Sequence, residues 1–301
     1  MKQSVLKKLI VIVGPTASGK SDLAVRLAQK FNGEVVSADS RQVYRGMDIG
    51  SGKITRLEQR GVKHHLLDVA DPKRSFSVAR YQKMAQIAIN QIRQNGKIPI
   101  ICGGTGFYIK SVAEMTSIPT VPPDPILRKK LEKNNSARLY KMLEIKDKDS
   151  AQRIGHYNTR RLIRALEIVL KTKKPVPKTA SVPLPYPVLT IGLSVDREKL
   201  SRLIAKRLNK RLRRGMIAEV KKLRASGLSW KRLENFGLEY RYAALFLQKK
   251  ITLSEMKSKI QIESQRYAKR QLTWFRKDHS VKWIKHPSEA NKLAASYLRA
   301  K

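Results

Sequence analysis

The sequence contains very little cysteine and no long apolar run. Cys102 is the single cysteine in 301 residues, so a disulfide framework and a zinc site built from several cysteines are excluded. The apolar run Leu9–Val13 ends at Gly14, far short of the roughly 20 residues that a membrane-spanning helix needs. Residues 1–8 are too few and too polar to predict a secretory signal. We therefore expect a cytoplasmic protein with no membrane partner.

Acidic residues are also scarce. There are 23 of them against 64 lysines and arginines, which gives a formal net charge of +41. Such an excess repels itself in a compact chain, and a phosphate backbone relieves the repulsion by releasing its counterions. The charge favours a polyanionic partner without saying which nucleic acid; a merely solvated basic surface is the other interpretation. Because 41% of the residues are hydrophobic, a packed core is expected rather than disorder.

Strands and helices alternate in the first third of the chain. Helices are predicted from Lys20 and from the capping residue Ser77 to about Asn95. This alternation is typical of a parallel sheet with helices on both faces. Buried strands are predicted at residues 9–13, 34–38, 66–69 and 98–102, and another at 188–195.

The segment between the first strand and the first helix fits the pattern of a phosphate-binding loop, or P-loop. Glycines let backbone N–H groups turn towards phosphate oxygens, and the helix N-terminus adds partial positive charge. Lys20 can neutralise a terminal phosphate, and the Ser21 hydroxyl can hold the Mg²⁺ that we expect as a cofactor. The pattern predicts diphosphate binding but not nucleotide hydrolysis. The loop consists of Gly14, Pro15, Thr16, Ala17, Ser18, Gly19, Lys20 and Ser21.

Polar residues follow two other predicted strands. Asp39, Ser40, Arg41 and Gln42 follow the second strand, and Thr105 lies in the glycine-rich turn after the strand at 98–102. Because ligands of open parallel sheets bind at the carboxyl ends of the strands, both segments are expected beside the P-loop. Asp39 could ligate Mg²⁺, cap a helix or act as a base, and capping is the commonest role for an aspartate at a strand end.

The middle of the chain has a different character. Residues 116–187 contain helical patterns without a convincing strand and are flanked by prolines, which predicts a helical domain inserted into an α/β core of residues 1–115 and 188–301. From Arg197 onward the chain is predicted to be nearly all helical and strongly basic. The predicted fold class is therefore α/β: a P-loop parallel-sheet core with helices on both faces, an inserted helical domain and a basic helical C-terminal part.

Taken together, these motifs resemble the bacterial-type tRNA dimethylallyltransferase (tRNA isopentenyltransferase) family. The resemblance runs from Leu9 to about Trp283. P-loops occur in many families, whereas the second and last of the matching stretches are much more specific. These stretches read GPTASGKSDLA from Gly14, SADSRQVYRGMDIGSGK from Ser37, HHLLDVADP from His64, GKIPIICGGTGFYIK from Gly96, NTRRLIRALEI from Asn158 and YAKRQLTWFRKD from Tyr267.

The resemblance implies a reaction and a set of residues. The exocyclic N6 amine of the adenosine 3′ of the tRNA anticodon attacks the dimethylallyl group of dimethylallyl diphosphate, and diphosphate leaves. Asp39, Thr105 and Arg207 are the expected catalytic residues, with Asp39 in the general-base place, Thr105 also matching a tRNA-contacting position and Arg207 binding the diphosphate. The partners are the tRNA anticodon stem-loop and dimethylallyl diphosphate, and we expect a monomer. The expected tRNA-binding residues are Asp39, Ser40, Arg41, Gln42, Thr105, Arg128, Arg160, Arg161, Leu162, Ile163 and Arg164.

Three segments depart from the family pattern. Leu203-Ile204 stands where the family often has Arg-Ile, and the segment from Gly50 to Ile54 stands where it usually reads GTAKP. The segment Phe236–Arg241 aligns only loosely, and the sequence assigns it no role.

Three other functions stay open at this point. A P-loop small-molecule kinase or NTPase would share the loop but would not need the basic C-terminal helices. A prenyltransferase acting on free adenine nucleotides would share the core but have less use for the stretches at Asn158 and Tyr267. A non-enzymatic RNA-binding protein would not need Asp39 beside an intact P-loop.

Overall fold

A six-stranded parallel sheet forms the centre of the fold. The computed structural model describes residues 8–178 and 184–300. Within them the strand order is β3-β2-β4-β1-β5-β6, and each neighbouring pair is parallel, which confirms the predicted α/β class. The strands are β1 Leu9–Val13, β2 Gly33–Ala38, β3 His64–His65, β4 Ile98–Gly103, β5 Val188–Leu193 and β6 Lys282–Ile284.

Helices follow most of the strands and make up the rest of the regular structure. None of the described helices is long and apolar enough to cross a membrane. The helices are α1 Lys20–Lys30, α2 Arg56–Gln59, α3 Val78–Gln94, α4 Gly106–Ala113, α5 Pro125–Leu131, α6 Ser136–Lys146, α7 Lys148–Ile154, α8 Thr159–Thr172, α9 Arg197–Arg213, α10 Met216–Ala225, α11 Trp230–Glu234, α12 Leu238–Leu247, α13 Leu253–Phe275 and α14 Pro287–Arg299.

The chain divides into two compact units. The first contains Met1–Met115 and Pro183–Lys301, and the second contains Thr116–Val182. The first unit holds the sheet, whereas the described part of the second is helical and has its own apolar core of leucines from α6 and α8. The sequence placed the return to the sheet at residue 188, where β5 begins.

Both faces of the sheet are buried. Successive residues of a strand point to opposite faces. Leu9, Val11 and Val13 therefore join one apolar cluster, which α3, α4 and α10–α13 cover, while Ile10 and Ile12 join a second cluster under α1 and α14. A strand buried on both faces reads as a continuous apolar run, which is why β1 could be recognised in the sequence.

One strand prediction was wrong, and one short strand was not predicted. The strand predicted at residues 66–69 does not form, because Leu66 and Asp68 adopt left-handed backbone angles of φ 63° and 58°; the short strand β3 lies just before it. The segment beyond Arg197, predicted to be nearly all helical, also contributes β6, a three-residue edge strand. The cap of α3 by Ser77 is confirmed: its side chain accepts from the N–H of Arg80.

Candidate active site

The P-loop lies where the sequence predicts it, between β1 and α1. Gly19 adopts left-handed angles at the N-cap of α1, and no side chain caps that end of the helix. The backbone N–H groups there, with the partial positive charge of the helix terminus, are suited to an anion. Lys20 Nζ folds back to donate to the Pro15 carbonyl, while Ser21 is exposed at the start of α1.

Two cations meet at this loop. Arg207 of α9 donates from Nη1 to Thr16 Oγ1 at 2.9 Å. Burial lowers the pKa of Lys20 to about 8, with the nearby Arg207 charge acting in the same direction. Burial also lowers the pKa of Arg207 to about 10, and Arg211 adds to that shift. The site thus holds concentrated positive charge that a bound anion would stabilise.

A buried glutamine joins the P-loop to the glycine-rich turn. Gln271 of α13 accepts from the Thr16 N–H at 2.8 Å and donates to the Gly104 carbonyl at 2.8 Å. A β-carbon at residue 104 would lie 2.2 Å from Gln271 Nε2, so glycine is required for this close approach. Both amide ends of the side chain are used, which fixes the relative positions of the two loops.

Asp39 and Thr105 lie side by side at the carboxyl ends of neighbouring strands. Ala38 of β2 is paired in register with Gly103 of β4, so the residues that follow them are brought together. Thr105 Oγ1 accepts from the Ser40 N–H at 3.1 Å, and Asp39 Oδ1 accepts from the Arg41 N–H at 2.8 Å. Burial lowers the pKa of Lys20, and the charge of Asp39 partly offsets that shift, so the carboxylate lies near Lys20.

The structure therefore brings together one part of the predicted site. The P-loop, Asp39, Ser40, Thr105 and Arg207 converge within the first unit. Arg41 and Gln42 continue the turn after Asp39, and Gln42 Nε2 donates to the Gly52 carbonyl at 3.2 Å.

In the second unit, two of the predicted tRNA-binding arginines are engaged with a buried acid. Arg128 donates to both carboxylate oxygens of Glu167, at 2.8 and 2.7 Å, and Arg164 pairs with the same carboxylate. Glu167 is completely buried. An acid in that position needs these partners, so Arg128 and Arg164 stabilise the fold of the unit.

The remaining residues of that stretch differ in exposure. Leu162 and Ile163 are buried in the apolar core of the second unit, so the expectation that they bind tRNA is corrected here: the helical period turns their side chains inward. Arg160 and Arg161, in the first turn of α8, are exposed. They are the members of the stretch whose charges face solvent.

Gln271 lies within the stretch YAKRQLTWFRKD, and the sequence assigns it no role. The signal was present, since Gln271 continues a row of buried positions on α13 that includes Ile260, Ala268 and Phe275. A polar side chain in such a row needs hydrogen-bond partners, which points to a contact with backbone. Arg211, 7% exposed, was missed for a similar reason, because it lies beside the apolar stripe of a helix that is basic elsewhere.

The exposed side of α13 forms a basic groove next to this site. One tryptophan, Trp274, lies among its cations, and it packs so closely on the glycine-rich turn that a β-carbon at residue 106 would lie 2.2 Å from its indole nitrogen. The groove is lined by Arg266, Lys269, Arg270, Thr273, Trp274 and Lys277.

Comparison with known proteins identifies the family of the chain. A family model described as IPP transferase matches residues 42–278. The tRNA dimethylallyltransferase of Carboxydothermus hydrogenoformans is 43% identical over 292 residues, covering 94% of each chain. The crystal structure of full-length tRNA isopentenylpyrophosphate transferase from Bacillus halodurans matches with a TM-score of 0.73 at 38% identity, covering 97% of each chain. A eukaryotic dimethylallyltransferase acting on tRNA gives a TM-score of 0.80 at 27% identity and covers 97% of this chain and 77% of that one.

Proposed function

Because the chain belongs to the IPP transferase family, we infer that it is a tRNA dimethylallyltransferase. It transfers the dimethylallyl group of dimethylallyl diphosphate to the N6 amine of the adenosine 3′ of the anticodon and releases diphosphate. The observation that carries the assignment of residues is that Arg207 donates to the P-loop, while Asp39 and Thr105 follow neighbouring strands, one of which Gln271 joins to that loop.

Asp39 is the general base in this proposal. The N6 nitrogen forms a bond to C1 of the dimethylallyl group while the bond from C1 to the diphosphate oxygen breaks. The nitrogen must then lose a proton, because the amine becomes positively charged as it attacks. The carboxylate of Asp39, held by the Arg41 N–H at 2.8 Å, accepts that proton. Thr105 bonds the backbone beside Asp39 and so orients this turn.

The leaving group is stabilised by the P-loop. The diphosphate gains charge as the C–O bond breaks, and Lys20, Arg207 and the N–H groups at the start of α1 offset that charge. Arg207 is already aimed at the loop by its bond to Thr16. Preorganised donors of this kind lower the barrier because they need no rearrangement during the reaction.

A Mg²⁺ ion fits the same place. Among the described residues there is no cluster of three or more histidine, cysteine or acidic ligands, so a metal cage built by protein alone is not expected. Mg²⁺ commonly keeps several waters and takes its other ligands from one or two side chains and substrate phosphates. Ser21, at the start of α1, would supply the protein ligand through its hydroxyl oxygen. A bound Mg²⁺ would add positive charge at the diphosphate oxygens.

The basic surfaces support binding of the tRNA anticodon stem-loop. Sites for single-stranded nucleic acids typically combine aromatic side chains, on which bases stack, with cations. The α13 groove presents one such aromatic, Trp274, among four lysines and arginines. Flipping the target adenine out of its stack costs a few kcal/mol, which contacts to phosphates and base would offset. A single buried thiol and action on tRNA favour the cytoplasm as the location. We also propose a monomer, because the residues assigned to the site all belong to one chain.

The activity is tested with labelled dimethylallyl diphosphate and total tRNA, followed by analysis of the nucleosides. We expect the label in a modified adenosine that depends on both tRNA and divalent metal. ATP turnover that ignores tRNA would instead indicate a small-molecule kinase or NTPase. Label on free adenine nucleotides, with none on tRNA, would indicate the other class of prenyltransferase.

The exposed arginines of the second unit give a separate prediction. Reversing Arg160 and Arg161 to glutamate should raise the KM for tRNA at least several-fold and leave the KM for dimethylallyl diphosphate unchanged. The plot of log affinity for tRNA against log salt should also flatten, by about 0.7 to 0.9 for each phosphate that the variant no longer neutralises.

The matched control reverses Lys292 and Arg299 on α14, which are also exposed, so the net charge changes by the same amount. If both double variants weaken tRNA binding equally, the effect comes from overall charge and not from the position of the arginines on α8. Arg164 is left intact, because its pairing with buried Glu167 would confuse binding with folding.

A further inference from the structure

The loop Asp48–Gly52 is held in place by one carboxylate. Glu219 of α10 accepts from three consecutive backbone N–H groups: Asp48 at 2.8 Å, Ile49 at 2.7 Å and Gly50 at 2.9 Å. Hydrogen bonds to an ionised acceptor are about twice as strong as neutral ones. Three of them from adjacent residues fix the backbone path of the loop.

Tyr240 of α12 completes this anchor. Its hydroxyl donates to Glu219 Oε1 at 2.8 Å and accepts from the Ser51 N–H at 3.1 Å. Burial raises the pKa of Tyr240 well above its ordinary value, so the hydroxyl stays protonated and remains a donor. Four successive N–H groups of the loop, from Asp48 to Ser51, are thus satisfied by two side chains. Tyr240 belongs to the segment to which the sequence assigned no role.

The far end of the loop lies against the arginines of α9. A β-carbon at Gly52 would lie 2.3 Å from Arg207 Nη2 and 2.0 Å from Arg211 Nη2, and Gly52 has a φ of 62°. The two guanidinium groups repel each other, and Arg211 is held on its other side by an ion pair with Glu239 of α12. The loop therefore packs against Arg207, the residue that donates to Thr16, and limits the movement of its guanidinium group.

We propose that Glu219 and Tyr240 are positioning residues for the diphosphate: by fixing the loop Asp48–Gly52 against Arg207 and Arg211, they keep the Arg207 guanidinium directed at the P-loop. The proposal rests on the proposed function, in which Arg207 binds the leaving diphosphate. It assigns a task to the Phe236–Arg241 segment through Tyr240 and Glu239. Neither Glu219 nor Tyr240 needs to touch substrate.

The first test is Glu219→Gln. An amide keeps the shape but has one acceptor oxygen in place of two, so the loop loses some of its four hydrogen bonds. Arg207 then loses the fixed backbone against which it packs. We expect the Kd for inorganic diphosphate, measured by calorimetry on the full chain, to rise roughly tenfold, which is less than the roughly 10²-fold that a 1 Å misplacement can cost. The KM for dimethylallyl diphosphate should rise in parallel, with the KM for tRNA within about twofold.

Tyr240→Phe is the milder variant and removes one hydroxyl only. It should raise the Kd for diphosphate by about threefold, because the loop loses only one hydrogen bond and the net contribution of one such bond is modest. The matched control is Glu289→Gln: Glu289 caps α14 by accepting from the N–H groups of Lys285 at 3.1 Å and His286 at 2.6 Å. This variant loses the same kind of bonds at the other face of the sheet, and its diphosphate affinity should equal that of the wild type.

Thermal unfolding separates positioning from general stability. If Glu219→Gln and Tyr240→Phe lower the Tm but leave the Kd for diphosphate unchanged, Glu219 and Tyr240 only stabilise the fold and the proposal is overturned. The calorimetric comparison needs neither tRNA nor the prenyl group. A wild-type chain that binds diphosphate more tightly than both variants but transfers no label would support the positioning role and contradict the proposed function alone.

Discussion

Replacing Asp39 by asparagine is expected to lower kcat by roughly 10²- to 10⁴-fold, with tRNA and diphosphate affinities within a few-fold of wild type. The amide retains the Oδ1 that accepts from the Arg41 N–H at 2.8 Å, so the turn should keep its shape. What is lost is the negative charge and basicity that would take the N6 proton. Single-turnover rates and separate binding measurements check both halves of the prediction.

The chain contains a close control for this variant. Asp71 Oδ1 accepts from the N–H of Lys73, two residues on, at 2.8 Å, which is the same local arrangement away from the P-loop. Asp71→Asn should therefore turn over at the wild-type rate. Asp39 is not the base if its asparagine variant keeps near-wild-type turnover, or if turnover falls only in proportion to a loss of folded protein.

Replacing Lys20 by alanine is expected to reduce kcat/KM for dimethylallyl diphosphate by about 10²- to 10³-fold and to leave tRNA affinity unchanged. The lysine is placed at the start of α1, where a diphosphate would meet the helix terminus. Lys30→Ala, at the exposed end of the same helix, removes an equal charge and should have little effect. An equal loss of tRNA binding in Lys20→Ala would indicate misfolding or a shared site.

Because of Lys20, the affinity for diphosphate is expected to depend on pH. Burial lowers its pKa to about 8 in the absence of an anion. The ammonium form is present below that pH and is lost as the pH rises through it, so diphosphate affinity of the wild-type chain should fall above about pH 8. The Lys20→Ala chain should lack this step. Calorimetry with inorganic diphosphate from pH 6.5 to about 9.5 would detect the difference, because lysine is ordinarily charged throughout that range.

The parts of the fold that the sequence predicts well are those set by local patterns. β1 is an apolar run bounded by glycine and proline, α3 has a serine cap and an apolar face, and the P-loop has a fixed spacing. β6 was missed because three residues at a sheet edge carry too little pattern to compete with the surrounding helices. The apolar pattern at Leu66 predicts a strand where the chain turns, because left-handed backbone angles at a leucine do not change the hydropathy of the sequence.

Some residues of the site could also be predicted from local patterns, and others could not. Asp39 and Thr105 could be placed beside the P-loop, because carboxyl ends of parallel strands share one edge. Their neighbours from the C-terminal helices could not be derived from spacing, since nothing local tells that Gln271 bonds Thr16 or that Glu219 holds Asp48. For Arg164 the sequence shows a cation in a basic stretch, and only the fold reveals the buried Glu167 that it stabilises.

The bridge made by Gln271 has a consequence for the order of folding. The Thr16 N–H finds its acceptor 255 residues further along the chain, and β1 pairs with β5 only after the second unit has been synthesised. Contacts between residues so far apart in the sequence form late, because closing the intervening chain costs entropy before any stabilising contact is made. During translation β1 and β4 can pair early, while the loop between β1 and α1 stays without its anchor until α13 has left the ribosome. The nascent chain can thus pair strands β1 to β4 well before it acquires a finished anion site.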